Sequence, residues 1–207
     1  TANEMQVLFH EKILPDLSKN IVCGNSLIGT DIIYEESTDG LFEHKRRITP
    51  EEERKLNPMD FEKRFPQIFP NQNTQTVSSL HVPAVSSPHV LGGDLMSTKP
   101  ANKYGFDAIV GNPPYVRIQT LNEYAKEQVS YFNKSYSNIV SDSYDIYLLF
   151  IYKGHKLLKN NGVLGFITPH KFFTALMGKK LRDYLALNKS VNRIIDFSTN
   201  QIFEGAT

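Results

Sequence analysis

Cysteine is almost missing: Cys23 is the single one among 207 residues, so no intramolecular disulfide framework can hold this fold. One thiol is compatible with a reducing cytoplasm, which is the expected location. Long apolar runs are also lacking, and none approaches the roughly 18 to 20 residues of a membrane span, so no membrane partner is expected. Neither sign of charge is in excess. Lys plus Arg number 23 and Asp plus Glu 22, a net charge of +1, so any basic surface for nucleic acid must be local. The six histidines show no short ligand spacing: His81 and His89 stand in a polar stretch and His44 lies beside Lys45-Arg46-Arg47. No metal site is expected. No G-x-S-x-G nucleophile turn occurs, and no serine, histidine and acid stand in a recognisable catalytic context. Gly24-x4-Gly29 lacks the Lys-Ser/Thr of a phosphate loop, and Gly92-Gly93 sits among polar residues.

What is present is 40% hydrophobic residues in a length suited to one globular domain or slightly more. Met5, Leu8, Phe9 and Ile13 have helical spacing over residues 5–17 until Pro15 interferes. IVCGNSLIG, from Ile21, reads as a buried strand ending in a turn at Asn25. The pattern then weakens from Thr30 to about Pro100. Within it, Thr49-Pro50-Glu51-Glu52 predicts the capped start of a short helix that Pro58 closes. Residues 71–100, rich in Ser, Thr, Pro, Asn and Gln, read as a long insertion. Order returns with the strand FDAIVG at 106–111, which Asn112-Pro113-Pro114 terminates. A surface helix is expected over 121–132. A longer one over 144–159, capped from Ser141-Asp142-Ser143, puts Tyr144, Tyr147, Leu148, Ile151, Tyr152 and His155 on one stripe. A buried strand GVLGFITP, a helix over 172–187 and a strand VNRIIDF complete the alternation of a parallel α/β sheet. The chain thus divides into a helix and strand at 1–32, a charged and polar insertion at 33–103, and a second α/β portion at 104–207.

Chemistry concentrates at Asn112-Pro113-Pro114-Tyr115, where a strand ends. Ligands of open α/β sheets bind outside the carboxyl ends of strands. The Asn112 side chain offers a neutral carbonyl acceptor, the prolines stiffen the backbone, and the Pro113 carbonyl joins it as a second acceptor beside the Tyr115 ring. Two converging acceptors suit a planar NH₂ group whose lone pair is delocalised: accepting both hydrogens favours a pyramidal nitrogen and aims the lone pair at an electrophile. Tyr115 would stack on the plane being held, as enzymes that extrude a base from a duplex require. A proline-braced turn with Tyr115 packed as an ordinary aromatic is the competing account.

VGNPPYVR at 110–117 resembles the catalytic segment of the S-adenosylmethionine-dependent, adenine-specific DNA methyltransferases. NIVCGNSLIGTDI at 20–32, FPQIF at 65–69, SYDIYLLFI at 143–151, GVLGFITPHKFF at 162–173 and RIIDFSTNQIFEG at 193–205 recur in similar order, nearest to the type IIG restriction and modification enzymes. The resemblance implies a Rossmann-like class I methyltransferase sheet that is incomplete, lacking its first two strands and carrying a polar insertion. It implies Asn112, Pro113, Pro114 and Tyr115 as the catalytic motif, with Tyr115 and Phe203 as walls against the flipped adenine, and Asn25 and Ser26 bordering S-adenosylmethionine. A core phenylalanine at Phe203 and a plain turn at Asn25 stay open as alternatives. Asp107 and Asp145 read as structural residues. The family's glycine-rich cofactor loop would lie upstream of residue 1 and its target-recognition domain beyond residue 207, with double-stranded DNA and the remaining polypeptide, including any endonuclease, as partners. The chain alone is accordingly expected neither to bind the cofactor tightly nor to methylate DNA.

Two other function classes share the motif. Release-factor methyltransferases use it on a protein glutamine amide, and a non-catalytic module could derive from a methyltransferase; the flanks VGNPPYVR and GNSLIG and the long insertion favour DNA. Lys45-Arg46-Arg47, Lys153, Lys156, Lys159, Lys179, Lys180 and Arg182 read as solvated helix-face or charged-segment cations.

Overall fold

In a computed structural model, residues 17–39, 42–70 and 103–197 are described. The helix expected over 5–17 lies almost wholly outside them. So do the polar stretch 71–100, with His81, His89 and Gly92-Gly93, and the terminal segment with Phe203. The chain is mixed α/β. An antiparallel hairpin pairs β1 (Tyr34–Asp39) with β2 (Phe42–Arg47), Tyr34 opposite Arg47 and Asp39 opposite Phe42. Two short helices follow, α1 (Pro50–Leu56) and α2 (Phe61–Arg64). Then come β3 (Phe106–Gly111), α3 (Ile118–Tyr124), α4 (Lys126–Ser135), α5 (Tyr147–Leu157), β4 (Leu158–Phe166) and α6 (Lys179–Leu187). β3 and β4 form a two-stranded parallel sheet, with Ala108 opposite Val163 and Gly111 opposite Phe166.

Local chemistry explains the elements that match expectation. Thr49 caps α1 in a capping box: its hydroxyl accepts from the Glu52 N–H at 3.2 Å while the Glu52 carboxylate accepts from the Thr49 N–H at 2.8 Å. Pro50 enters at the first helical position, and Asn57 closes the helix in the left-handed conformation, φ 46°, just before Pro58. At the start of β3, Gly105 has φ 139°, and a Cβ there would lie 2.5 Å from the Lys159 nitrogen and 2.6 Å from the Leu157 carbonyl oxygen. Only glycine lets the strand approach the junction of α5 and β4 this closely. The same junction holds an exposed ion pair between Asp107 and Lys159, which keeps the Asp107 carboxyl below its usual range.

The core is helical. Ile118 and Leu121 of α3, Val129 and Phe132 of α4, and Tyr147, Leu148, Leu149 and Ile151 of α5 are buried together with Leu27, Ile28 and Leu181. Tyr136 donates to the Leu27 carbonyl at 2.8 Å, fastening the segment before β1 to the end of α4. Another tie joins α5 to α6, where His155 Nδ1 lies 2.7 Å from the Tyr184 hydroxyl and Nε2 lies 2.8 Å from Ser190 Oγ. Burial, then Tyr152, pushes the Tyr184 phenol up to about 12. Lys180 and Arg182 are not plain surface cations: Lys180 donates to the Ser137 carbonyl at 2.9 Å, and Arg182 to the Phe172 and Ala175 carbonyls at 2.6 and 2.8 Å.

Several sequence expectations are corrected. Residues 21–29 form no strand, only a single bridge between Asn25 and Pro58, and Ile21 is exposed. VNRIIDF at 191–197 likewise forms no strand, with Val191, Ile194, Ile195 and Phe197 exposed. Both have strand-forming composition but join no sheet among the described residues, and a strand without a ladder is not a strand. The hairpin in the supposed insertion was unforeseen. The helix placed at 121–132 is two helices broken at Ala125, and its apolar face is core rather than surface. α5 starts at Tyr147 with no side-chain cap from 141–143, and it yields to β4 at Leu158. The helix expected from 172 begins at Lys179, preceded by two 3₁₀ turns.

Candidate active site

β3 delivers the tetrapeptide to the carboxyl end of the sheet. The ladder persists one step past the strand, since the Ile167 N–H donates to the Gly111 carbonyl at 3.3 Å, and Asn112 leaves the sheet beside that last pair. Pro113 is buried, while Asn112, Pro114 and Tyr115 are exposed. The Tyr115 hydroxyl reaches the Asn112 Oδ1 at 2.7 Å and the Ile167 carbonyl at 3.1 Å. Its ring stands edge-on to the fully buried Tyr147 ring of α5, centroids 6.3 Å apart at 82°. Burial first, then the Asp145 carboxylate, pushes the Tyr147 phenol up to about 12. The Tyr115 ring thus rests on a neutral aromatic and leaves a face to solvent.

A cleft of about 450 Å³ opens along β3 and ends at Asn112, Pro113 and Pro114. Ser26 reaches it from the segment before β1. Asn25 does not line it, because its side-chain oxygen accepts the Leu27 N–H at 3.1 Å and shapes the turn that presents Ser26. Lining residues that the sequence alone does not assign to the site include Phe61, Phe150 and Lys153. Lys153 lies with its Nζ 5.8 Å from the Phe61 ring centre, within cation–π reach. Phe61 in turn belongs to an aromatic cluster with Phe65, Phe69 and Phe106, so the FPQIF segment packs on the start of β3. The missed signal is periodic: Phe150, Lys153, Gly154 and Leu157 form a second stripe of α5, turned to the cleft while Tyr147, Leu148 and Ile151 face the core.

Near the rim, Asp60 fixes the chain that carries Ser26. It accepts from the Thr30 N–H at 2.9 Å and from the Thr30 hydroxyl, and pairs with Lys63 at 2.7 Å. Burial would raise its carboxyl, but the Lys63 and Thr30 hydrogen bonds outweigh it and hold the group below its usual range. Among the described residues, no cluster of three His, Cys, Asp or Glu side chains could hold a metal ion.

An apolar cleft at the carboxyl end of a parallel strand, edged by Asn112, Pro113 and Pro114, is one observation; the match across nearly the whole chain is the other. Residues 8–203 match the family model described as Eco57I restriction-modification methylase. The chain belongs to the Eco57I restriction-modification methylase family. It is similar to the type II restriction enzyme and methyltransferase RM.Eco57I of Escherichia coli, 35% identical over 116 residues, covering 55% of this chain and 12% of that protein. It is also similar to the type II methyltransferase M.HincII of Haemophilus influenzae, 35% identical over 106 residues, 51% of this chain and 21% of the relative. M.BstVI of Geobacillus stearothermophilus, another type II methyltransferase, is 37% identical over 99 residues, 48% of this chain and 17% of its own length. The chain therefore spans about an eighth to a fifth of the length of these relatives. Among the described residues, no helix is long and apolar enough to cross a membrane.

Proposed function

We propose that this chain carries the catalytic turn of an adenine-specific DNA methyltransferase of a restriction-modification or phage-defence system, and that its substrate is an adenine turned out of duplex DNA. The observation that carries the proposal is the place of Asn112-Pro113-Pro114-Tyr115 at the tip of β3, on the rim of the cleft. In this account Asn112 Oδ1 and the Pro113 carbonyl accept the two hydrogens of the target amino group. Each accepted bond draws nitrogen away from planarity and meets the positive charge that grows on it, so no strong general base is needed before transfer. The exposed face of Tyr115 stacks on the base, as an extruded nucleotide requires.

S-adenosylmethionine fits the cleft in kind: its walls are the aliphatic face of β3 and the Phe150 ring, suited to a flat heterocycle, with Ser26 as a polar contact. When bound, it supplies a methyl group on a sulfonium sulfur, which the nitrogen lone pair takes as sulfur keeps the electrons of the broken C–S bond. The surplus proton on nitrogen then leaves to solvent. Ser26 and Phe150 would hold and orient the cofactor, and Pro113 and Pro114 stiffen the backbone that carries the acceptors. Incubation of the natural protein with methyl-labelled cofactor and either duplex DNA or a release-factor peptide tests the proposal. Label is expected on adenine in DNA; label on the glutamine of the peptide would overturn it in favour of the protein-methylating class.

A further inference from the structure

We propose that the Tyr115 hydroxyl is a positioning group for Asn112, a task separate from the stacking of its ring. The role rests on the reading above, in which Asn112 Oδ1 accepts from the target amino group. An asparagine amide presents an acceptor at one end and a donor of nearly the same shape at the other, and its terminal torsion is broad. An exposed Asn112 with no tether would offer its NH₂ end to the target for much of the time, setting donor against donor. The phenol opposes this: at 2.7 Å it donates to Oδ1, and the oxygen's second lone pair stays open. Its one hydrogen is shared in a three-centre bond, with Asn112 Oδ1 the nearer acceptor at 2.7 Å and the Ile167 carbonyl, at the end of β4, the farther at 3.1 Å, while the Tyr147 edge braces the ring from α5. Asn112 is thereby registered to three elements at once: β3 through its backbone, and β4 and α5 through Tyr115.

Tyr115→Phe keeps the ring and removes only the donor. In the natural protein, acting on the duplex DNA that it methylates, this variant should lower the single-turnover rate of methyl transfer by roughly three- to tenfold, the effect of one hydrogen bond. The KM for that DNA should stay within about twofold, and so should the fluorescence of 2-aminopurine placed at the target position, which reports extrusion and stacking. Thermal melting confirms equal folding. A wild-type rate in Tyr115→Phe, or a loss that falls on KM or on the 2-aminopurine signal, would overturn the proposal while leaving the function above intact. Full activity in Asn112→Ala would instead remove the function on which it rests, and this role with it.

Discussion

Leu148 and Leu149 on α5 and Val110 on β3 are all aliphatic and belong to adjoining elements, yet the two leucines are fully buried and Val110 is 86% exposed. The same contrast runs through both regions. Among the helices, Phe132, Ile139, Tyr147 and Leu181 are sealed by one another. In the sheet, Val110 and Val163 face solvent, as do Ile194 and Ile195 later in the chain. A helix closes its own backbone hydrogen bonds and needs only a packed face, whereas a strand is completed by lateral partners. Among the described residues, β3 and β4 have only each other. The helical layer therefore supplies the stability of the described chain, and the sheet supplies the edge that carries Asn112-Pro113-Pro114-Tyr115. α5 belongs to both, with one stripe in the core and another on the cleft.

Substitutions can break this contrast. The largest effect on stability is expected from Leu148→Ala, which empties a fully buried site. About 2 to 5 kcal/mol should be lost in denaturant unfolding. Gly105→Ala comes next, because it forces a Cβ into the Lys159 and Leu157 backbone at a φ that side chains disfavour. A loss of about 1 to 3 kcal/mol is expected, together with a disturbed sheet. Asp60→Asn should cost about 1 kcal/mol near neutral pH by weakening the hold on Thr30 and Lys63. The Asp60 carboxyl is depressed in the folded state, so its contribution is complete above the ordinary value of 3.8 and disappears as pH falls through the lower folded value. Unfolding midpoints of native chain and Asp60→Asn should therefore converge in acid. Smallest of all, Val110→Thr should change stability by less than about 0.5 kcal/mol. A large loss there would mean that β3 is covered in solution.

Part of the fold, and the place of the candidate site at the end of a strand, were legible in the residues. Thr49 to Glu52 encode their capping box locally, and FDAIVG followed by Asn112-Pro113 encodes a strand and its end, so neither needed distant information. The core stripe of α5 was visible in its period. Residues 21–29 and 191–197 misled because strand composition is a statement about neighbours as much as about residues. The hairpin was missed because YEESTD and FEHKRR are charged and lack an apolar alternation; the Asp39-Gly40 dipeptide between them was the available cue. Phe61, Phe150 and Lys153 come from two helices that meet only in the fold, and the bond from Tyr115 to Asn112 depends on a side-chain direction that spacing cannot supply.

The most direct test of the central claim is the chemical fate of the methyl group in the natural protein with and without Asn112. Mass spectrometry of nucleosides from duplex DNA, treated with the protein and S-adenosylmethionine, should find adenine methylated on its exocyclic nitrogen. Equally folded Asn112→Ala should leave adenine unmodified. Methylation of adenine by Asn112→Ala at the native rate, or methyl found only on cytosine or on protein, would contradict the account.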